Sequence, residues 1–407
     1  MRTLRELLGL ARDAGTLWWR HLPPLLGWFS VGYAVNELTG HASTLLPVEQ
    51  RILGTTIIIL GIVAWVACLV LAVRSLEAPD GQDPPLETLA ASMGPFMAVY
   101  GAWGLAQEQF DKLIQANLMT HGIDANLFSV DASDWGLFLG FAVVAVLIRL
   151  LVRLVGTRFA ARWLVFVGLV ADGAWVFASF FVLREWVGRG FDWLTSRELW
   201  RWWQTGWDAF VGVLPDVPIW YRTTLPEGVQ LVADRFWGFI VPGLANAVLL
   251  PLMWVALVGT VFGHRDFSAA DLVRGTRAER AADLLHRTRH RPLRRIMNLA
   301  TSEAREKYLP MLSTLGLLRA TGVRLIGAFL VLVAAVQLAG TLLDRAILFL
   351  VGPRPLADTL LYMGTSNFLV TLVSTPALLA CYTTAYLCAA EAQGSSSSAV
   401  GGVASRR

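Results

Sequence analysis

Long apolar runs alternate with short arginine-bearing gaps along this chain, and this pattern restricts its fold more than any other feature. Residues 52–73, for example, contain no charged side chain. A helix of about 20 apolar residues is long enough to cross a hydrocarbon core of about 30 Å. Hydrophobic residues make up 55% of the chain and charged residues only 16%. The sequence therefore predicts an all-α integral membrane protein.

We predict a polytopic bundle of about eight transmembrane helices, each defined by one apolar run. The first run is the shortest, and Asn36 and Glu37 end it. The eighth is long enough that we expect it to tilt strongly or to break at Pro376. The predicted spans are residues 25–38, 52–73, 89–105, 135–151, 163–183, 236–262, 325–343 and 360–388.

Basic residues predict the orientation of these helices, because short segments rich in Lys and Arg stay in the cytoplasm. With the N-terminus inside, the inner segments hold most of the 34 Lys and Arg residues, and the largest group lies between residues 265 and 324. An even number of spans returns the C-terminus to the same side. The bias toward arginine over lysine is associated with GC-rich bacterial genomes. We therefore expect a multi-pass protein of the bacterial plasma (inner) membrane with both termini in the cytoplasm.

The two ends of the chain differ from the apolar runs. Residues 1–22 predict an amphipathic helix on the inner membrane surface. Charges interrupt this segment, so it does not indicate a cleavable signal peptide. Residues 392–407 are rich in Gly, Ser and Ala and predict a disordered tail. The predicted apolar face of the N-terminal helix consists of Leu4, Leu7, Leu8, Ala11 and Ala14, and Trp18 and Trp19 follow it.

Asp172 is the most prominent polar residue inside a predicted span. A carboxylate near mid-bilayer costs ~2.5–3.5 kcal/mol on insertion scales, so it is usually paired, protonated or functional. One hypothesis is a proton- or ion-linked site. The other is an ion pair with Arg149 or Arg153 of the preceding span. A short connection makes those two helices antiparallel neighbours, and a long arginine side chain closes the remaining gap in depth.

The sixth predicted span carries Asn246 between Pro242 and Pro251. Two prolines in one span free backbone carbonyls, and such interrupted helices often line a cavity. The alternative is a kinked packing helix in which the Asn246 amide bonds to a neighbouring helix. Gln337 of the seventh span is expected to face the same interior. We therefore group Asp172, Arg149, Asn246 and Gln337 as a candidate intramembrane polar site.

Residues 184–235 form an outer aromatic segment that is rich in tryptophan. Tryptophan at this density predicts a helix in the membrane interface, with its indole rings at head-group level. Thr195 and Glu198 have the spacing of a capping box, so we expect a helix to begin there. The alternative is a platform for a sugar or lipid-linked glycan, with Glu198, Asp208 or Asp216 nearby. The predicted outer aromatic surface consists of Trp200, Trp202, Trp203 and Trp207.

Residues 263–324 form a strongly basic segment that predicts two amphipathic helices separated at Pro292. We expect this segment to contact anionic lipid head groups, with docking of a cytosolic protein partner as the alternative. His286 and His290 are four residues apart, but arginines surround them and no cysteine is near, so we predict no metal site. The arginines expected to contact head groups are Arg287, Arg289, Arg291, Arg294 and Arg295.

Motifs of the common enzyme classes are missing from the sequence. It contains no Walker A motif, no G-x-S-x-G, no H-E-x-x-H and no C-x-x-C. We predict no cofactor and no nucleic-acid partner. Our first functional hypothesis is a non-enzymatic component that carries a lipid or envelope precursor or helps to translocate it. The alternatives are a membrane scaffold that docks a partner through the basic segment, and a lipid- or glycan-modifying enzyme that uses outer carboxylates.

Overall fold

The computed structural model describes residues 2–46, 51–76, 84–102, 135–156, 162–220, 223–262, 314, 316, 321–352 and 355–404. Nearly all of these residues are helical, so the predicted all-α class is confirmed. In chain order the elements are α1 (Arg2–Arg20), α2 (Leu22–Thr44), α3 (Arg51–Arg74), α4 (Pro85–Ala102), α5 (Trp135–Gly156), α6 (Arg162–Thr195), α7 (Glu198–Val213), the short antiparallel strands β1 (Pro218–Trp220) and β2 (Thr223–Thr224), α8 (Leu225–Arg235), a π-helical turn (Phe236–Ile240), α9 (Val241–Phe262), α10 (Val323–Val351) and α11 (Leu356–Ala404).

Four of the described helical stretches are long and apolar enough to cross a membrane. Two shorter apolar stretches lie in α5 and α6. The described residues of every predicted span are helical, but the predicted number of about eight transmembrane helices is not confirmed. The four candidate spans are Leu53–Arg74, Leu225–Phe262, Val323–Val351 and Gly364–Ala392, and the two shorter stretches are Phe138–Val152 and Phe166–Val176.

Large apolar side chains cover much of the outside of the helices. In water, an exposed apolar surface of this extent is unfavourable and promotes aggregation, whereas hydrocarbon solvates it. The surface therefore fits a membrane protein, as the composition predicts. Examples are Leu139, Val143, Leu147 and Leu151 on α5, Leu244 and Leu249 on α9, and Val331, Leu338 and Leu342 on α10.

The core lies where α3, α4, α9 and α11 meet. Aromatic rings connect three of these helices: Phe96 of α4 packs edge-on against Trp254 of α9 at 5.8 Å, and Trp254 stacks on Tyr382 of α11 at 5.9 Å. The hydroxyl of Ser92 also donates to the carbonyl of Thr260 across the α4–α9 contact, at 3.3 Å. These contacts hold the centre of the bundle, on which the outer helices pack.

Helix α1 differs from the expected surface helix in the face that it buries. It packs against α10 and α11. Leu10 and Ala14 are buried, whereas Leu8 is 60% exposed, although the sequence places Leu8 on the apolar face. The apolar arc of α1 is wide, and its own sequence does not indicate which part of the arc another helix covers. The predicted helix is therefore present, but the face that it buries is rotated relative to the predicted apolar face.

Helix α11 runs through Pro376, so of the two outcomes expected for the eighth span the break is not seen. The helix continues to Ala404, through residues for which the sequence predicts a disordered tail. Extending an existing helix costs far less than nucleating one, so Ser- and Ala-containing residues continue the helix that precedes them. Pro251 likewise lies inside α9 without ending it.

Pro242, the first proline of the sixth predicted span, coincides with a local change in the type of helix. The π-helical turn directly precedes this residue, and the N–H of Val241 donates to the carbonyl of Phe236, five residues earlier. Pro242 has no N–H with which to continue the α-helical pattern. The wider turn changes the hydrogen-bond register just before the proline, and the helix then continues to Phe262.

Glycine allows α2 and α3 to pack closely as antiparallel neighbours. Gly32 of α2 lies against Cys68 of α3, and Gly61 of α3 lies against Thr39 of α2. A Cβ atom added at Gly61 would be 2.0 Å from Thr39 Oγ1 and 2.9 Å from Thr39 Cβ. Small residues at a contact of this kind allow two helix backbones to approach each other.

We expect Gly61→Ala to lower the stability of the protein by about 1–3 kcal/mol, because the added methyl overpacks the α2–α3 contact. The measurement is the melting temperature of the purified protein in detergent. Gly27→Ala on α2 is the control, because no atom lies within 4 Å of a Cβ added there. Equal melting temperatures for the two variants would contradict the close packing at Gly61.

Candidate functional site

The pairing of Asp172 with Arg149, one of the two hypotheses from the sequence, is present in the structure. Helices α5 and α6 pack as an antiparallel hairpin, with Gly168 against Val152 and Asp172 against Arg149. Arg149 Nε lies 2.7 Å from Asp172 Oδ1. This distance is that of an ion pair, but the geometry is not that of a hydrogen bond to Oδ1. The side chain of Arg153, the other predicted partner, lies outside the described residues.

The depth of this ion pair follows from the residue next to Asp172. A Cβ added at Gly173 would be 3.0 Å from Val63 of α3 and 3.4 Å from Met93 of α4, so α6 packs closely on both helices at this point. Val63 lies at the midpoint of α3, which is one of the four candidate spans. Asp172 is therefore level with the midpoint of a candidate span, which is the position where an unpaired carboxylate would be most costly in a membrane.

The ion pair is not fully enclosed. The side chains of Arg149 and Asp172 are each 18% exposed. The neighbours of Arg149 on α5, Ile148 and Leu150, are exposed apolar residues. The pair thus lies at the border between the bundle and its apolar outer surface, and it can be approached from the side of α5 that faces hydrocarbon.

The structure assigns Asn246 and Gln337 to a different environment. Both side chains are exposed on α9 and α10, whereas the sequence predicts that they face the same interior as Asp172. Pro251 is buried and Asn246 is not, since they lie on different sides of α9. The predicted grouping of four polar residues is therefore reduced to the two that form the ion pair.

A second polar contact inside the bundle is missing from the sequence prediction. The hydroxyl of Ser366, a buried residue of α11, donates to Asp344 Oδ1 of α10 at 2.6 Å. The predicted seventh span ends at residue 343, but α10 continues to Val351, so Asp344 lies within a candidate span. The apolar run that resumes at Ala346 after Asp344 and Arg345 is the signal that would have found this site.

The four tryptophans of the predicted aromatic surface lie on α7, but they do not form one platform. Trp202 and Trp203 are 69% and 67% exposed. Trp200 is partly buried against Phe191 of α6, with ring centroids 5.9 Å apart. Trp207 lies against Phe210 at 5.8 Å and lines a cleft beside α8.

The predicted capping box at Thr195 and Glu198 is not formed. Helix α6 continues to Thr195, whose hydroxyl donates to the carbonyl of Asp192, and α7 begins at Glu198 without a side-chain cap. Glu198 instead pairs with Arg201. Capping-box spacing recurs at Thr224 and Glu227, where the N–H of Thr224 donates to Glu227 Oε2 at 2.9 Å and α8 begins. The spacing alone does not distinguish the two places.

Several predicted residues cannot be placed. The five arginines from Arg287 to Arg295 and the histidines His286 and His290 lie outside the described residues. Within the described part of the chain, no group of three His, Cys, Asp or Glu residues could hold a metal ion.

The described fold is an all-α bundle whose apolar helices fit a membrane protein, and an ion pair lies beside the midpoint of one candidate span. No family model, no curated protein and no solved structure matches the chain. The functional argument therefore depends on the residues of this protein alone.

We expect Arg149→Gln and Asp172→Asn to be strongly non-additive in a double-mutant cycle of unfolding free energy. Each single change leaves one charge unpaired in the apolar layer, so the coupling energy should reach about 1–3 kcal/mol. The measurement is equilibrium unfolding of the wild type, both single variants and the double variant in detergent micelles.

The matched control is Glu185→Gln with Arg189→Gln, the partners of a 2.8 Å ion pair one turn apart on α6. The Arg189 side chain is 55% exposed, so the coupling energy there should stay below about 0.5 kcal/mol. A coupling energy at Arg149 and Asp172 as small as in the control would show that the charges do not depend on each other.

Proposed function

We propose that this protein is a non-enzymatic membrane component that binds a membrane lipid or lipid-linked envelope precursor and assists its translocation through the Arg149–Asp172 ion pair. The observation that carries the proposal is the position of this pair. It lies next to the midpoint of α3 and is partly exposed beside the apolar outer surface of α5. A site that is polar, deep and open to hydrocarbon suits a ligand that is itself dissolved in the membrane.

The ion pair offers a polar head group what hydrocarbon lacks. Moving a polar or charged head group through the apolar layer is costly unless protein groups replace its hydration. The Arg149 guanidinium is a planar donor that can bind phosphate or carboxylate oxygens at two points. Asp172 accepts hydrogen bonds from hydroxyl or ammonium groups and holds the guanidinium in place while no ligand is bound. Head-group oxygens would then compete with Asp172 for Arg149.

The surroundings of the pair favour access from within the bilayer. Leu147, Ile148, Leu150 and Leu151 on α5 are all exposed, so hydrocarbon can reach this helix directly. A lipid can approach such a surface sideways with its chains still in the apolar layer. A water-soluble ligand would instead need a polar route to the same depth. This difference supports a lipid ligand over a soluble one.

The carboxylates of the outer aromatic segment do not favour the enzyme alternative. Glu185 pairs with Arg189, and Glu198 pairs with Arg201. Each of these carboxylates is engaged by an arginine of its own helix, as in an ordinary ion pair on a helix surface. Asp208 and Asp216 are exposed. These observations support a binding role for the protein over a catalytic one.

We also propose that α1 and the basic segment lie in the cytoplasm. Helix α1 packs on α10 and α11. Phe262, the last residue of α9, lies 5.6 Å from Tyr386 of α11 in ring-centroid distance, and Phe329 near the start of α10 lies 6.1 Å from Tyr382. Both ends of the basic segment thus join the bundle near one turn of α11. The positive-inside rule favours the cytoplasmic side for this end and the plasma (inner) membrane of a bacterium as the location.

Asp172→Asn is expected to abolish lipid carriage while leaving the protein folded. The uncharged amide cannot form the ion pair with Arg149 that holds the guanidinium in place until a ligand displaces it. The measurement is lipid mass spectrometry on protein purified from native membranes in mild detergent. In the wild type we expect one lipid class to be enriched over the bulk membrane. In Asp172→Asn its amount should fall several-fold.

Glu185→Gln is the control, since it removes a carboxylate of α6 that pairs with an exposed arginine. It should retain the enriched lipid. Circular dichroism and gel filtration confirm that both variants are folded. The same lipid profile in the wild type and in folded Asp172→Asn protein would overturn the proposal, as would a wild-type protein that enriches no lipid.

A scaffold that docks a partner protein is the second candidate. It is supported by the common exit of both ends of the basic segment beside α1, which would present that segment on one side of the bundle. The same arginines are proposed to contact anionic head groups. The two roles predict different results when these arginines lose their charge. A scaffold would lose its protein partner, whereas head-group contact would lose binding to anionic lipid.

Replacing Arg287, Arg291 and Arg295 by Glu is expected to remove any stoichiometric protein partner if the scaffold role is correct, because a basic docking surface becomes acidic. The measurement is a pull-down from native membranes, with Asp172→Asn as the control that should keep the partner. Loss of binding to vesicles of anionic lipid, with no partner seen in the wild type, would leave only head-group contact.

A further inference from the structure

A cleft of about 540 Å³ lies between α7 and the helix that follows it. Trp207 of α7 forms one wall. The opposite wall is one face of α8 and the π-helical turn, because its residues recur at helical spacing. They are Gly228, Val229, Val232, Ala233, Phe236 and Trp237. None of the lining residues carries a charge.

The cleft has the chemistry of a hydrocarbon site. Its walls are aliphatic and aromatic, so a polar ligand would lose hydrogen bonds to water on entering and would find few in return. An apolar chain gains from being removed from water or from packing against the rings. The composition of the lining therefore favours an alkyl chain over a sugar or a charged group.

The position of the cleft indicates where such a chain comes from. Helix α8, the π-helical turn and α9 form one continuous candidate span, Leu225–Phe262. Along this span the exposed apolar surface continues from Trp237 through Phe239 and Leu244 to Leu249. Residues 236–262 carry no charged side chain, so a lipid chain can follow this surface from the bilayer to the cleft without meeting a charge from this helix.

The π-helical turn shapes the wall at the point where the cleft meets this surface. Its wider hydrogen-bond register, just before Pro242, offsets the side chains that follow the turn from those that precede it. Phe236 and Trp237 line the cleft, whereas Phe239 and Ile240 are 73% and 50% exposed beyond it. The turn thus joins the cleft to the apolar outer surface of the same helix.

We propose that this cleft binds one hydrocarbon chain of a membrane lipid. The occupant follows from the uncharged lining and from the continuity of the cleft with the apolar surface of a candidate span. The cleft is separate from the Arg149–Asp172 pair and is formed by other helices. Chain binding here does not depend on lipid carriage at that pair.

The test uses the full-length protein in vesicles of phosphatidylethanolamine and phosphatidylglycerol that contain a phospholipid with a photoactivatable diazirine on one acyl chain. After irradiation, labelled peptides are mapped by mass spectrometry. Peptides that contain Trp207 and residues 228–237 are expected to be labelled several-fold more than the exposed apolar face of α10, residues 331–342. That face exposes Val331, Leu338 and Leu342 and contributes no residue to the cleft or to the Arg149–Asp172 pair.

Val229→Trp should fill the cleft and reduce this labelling several-fold. Val213→Trp is the matched control, because Val213 lies on α7, is 84% exposed and does not line the cleft. It should leave the labelling unchanged. If Val229→Trp fails to fold, the contrast between the cleft and the α10 face in the wild type still decides the question.

Two results would overturn the proposal. Labelling of the cleft at the level of the α10 face, or labelling that folded Val229→Trp protein retains, would show that no chain is held there. Cross-links between two copies through Trp207 and residues 228–237, with little lipid label, would assign the cleft to a second copy of the chain.

Discussion

In hydrocarbon, every backbone amide and carbonyl has to be paired, because no water is present to bond to it. This constraint explains why nearly every described residue of this protein is helical and why the helices continue through prolines. Where Pro242 removes a donor, the chain adopts a π-helical turn and resumes the helix. Hydroxyl groups on α2 are also paired within the helix: the hydroxyl of Thr39 donates to the carbonyl of Val35 at 2.9 Å.

The same solvent determines how side chains are arranged. Apolar residues need no partner on the outside, so the bundle exposes them freely on α5, α9 and α10. Among the described residues, side-chain contacts between adjacent helices join Arg149 with Asp172 and Ser366 with Asp344, whereas buried hydroxyls such as Thr384 bond within their own helix. Because hydrocarbon gives helices little reason to associate, close packing at glycines such as Gly61 and Gly173 helps to hold them together.

Sequence periodicity and hydropathy predicted where the helices lie along the chain. They predicted less well which helices pack together and which face of each helix is buried. The pairing of Asp172 with Arg149 could be predicted because a short connection makes α5 and α6 neighbours. Asn246 and Gln337 could not be assigned in this way, since their helices are apolar on all sides and any face can be the buried one. Asp344 was missed because the predicted span stopped at the first charge. The capping box predicted at Thr195 and Glu198 did not form because α6 continues to Thr195, and the spacing of capping residues alone does not determine where the preceding helix ends.

By itself, the sequence determined the all-α class and the long apolar helices that fit a membrane protein, because the cost of exposing or burying each residue type is local and additive. Only the tertiary structure decided which face of α1 is buried, that Asp172 lies beside the midpoint of α3, and that Trp207 and α8 line an apolar cleft. These features depend on which helices meet and on the rotation of each, and that choice is made by side-chain packing between segments distant in the chain.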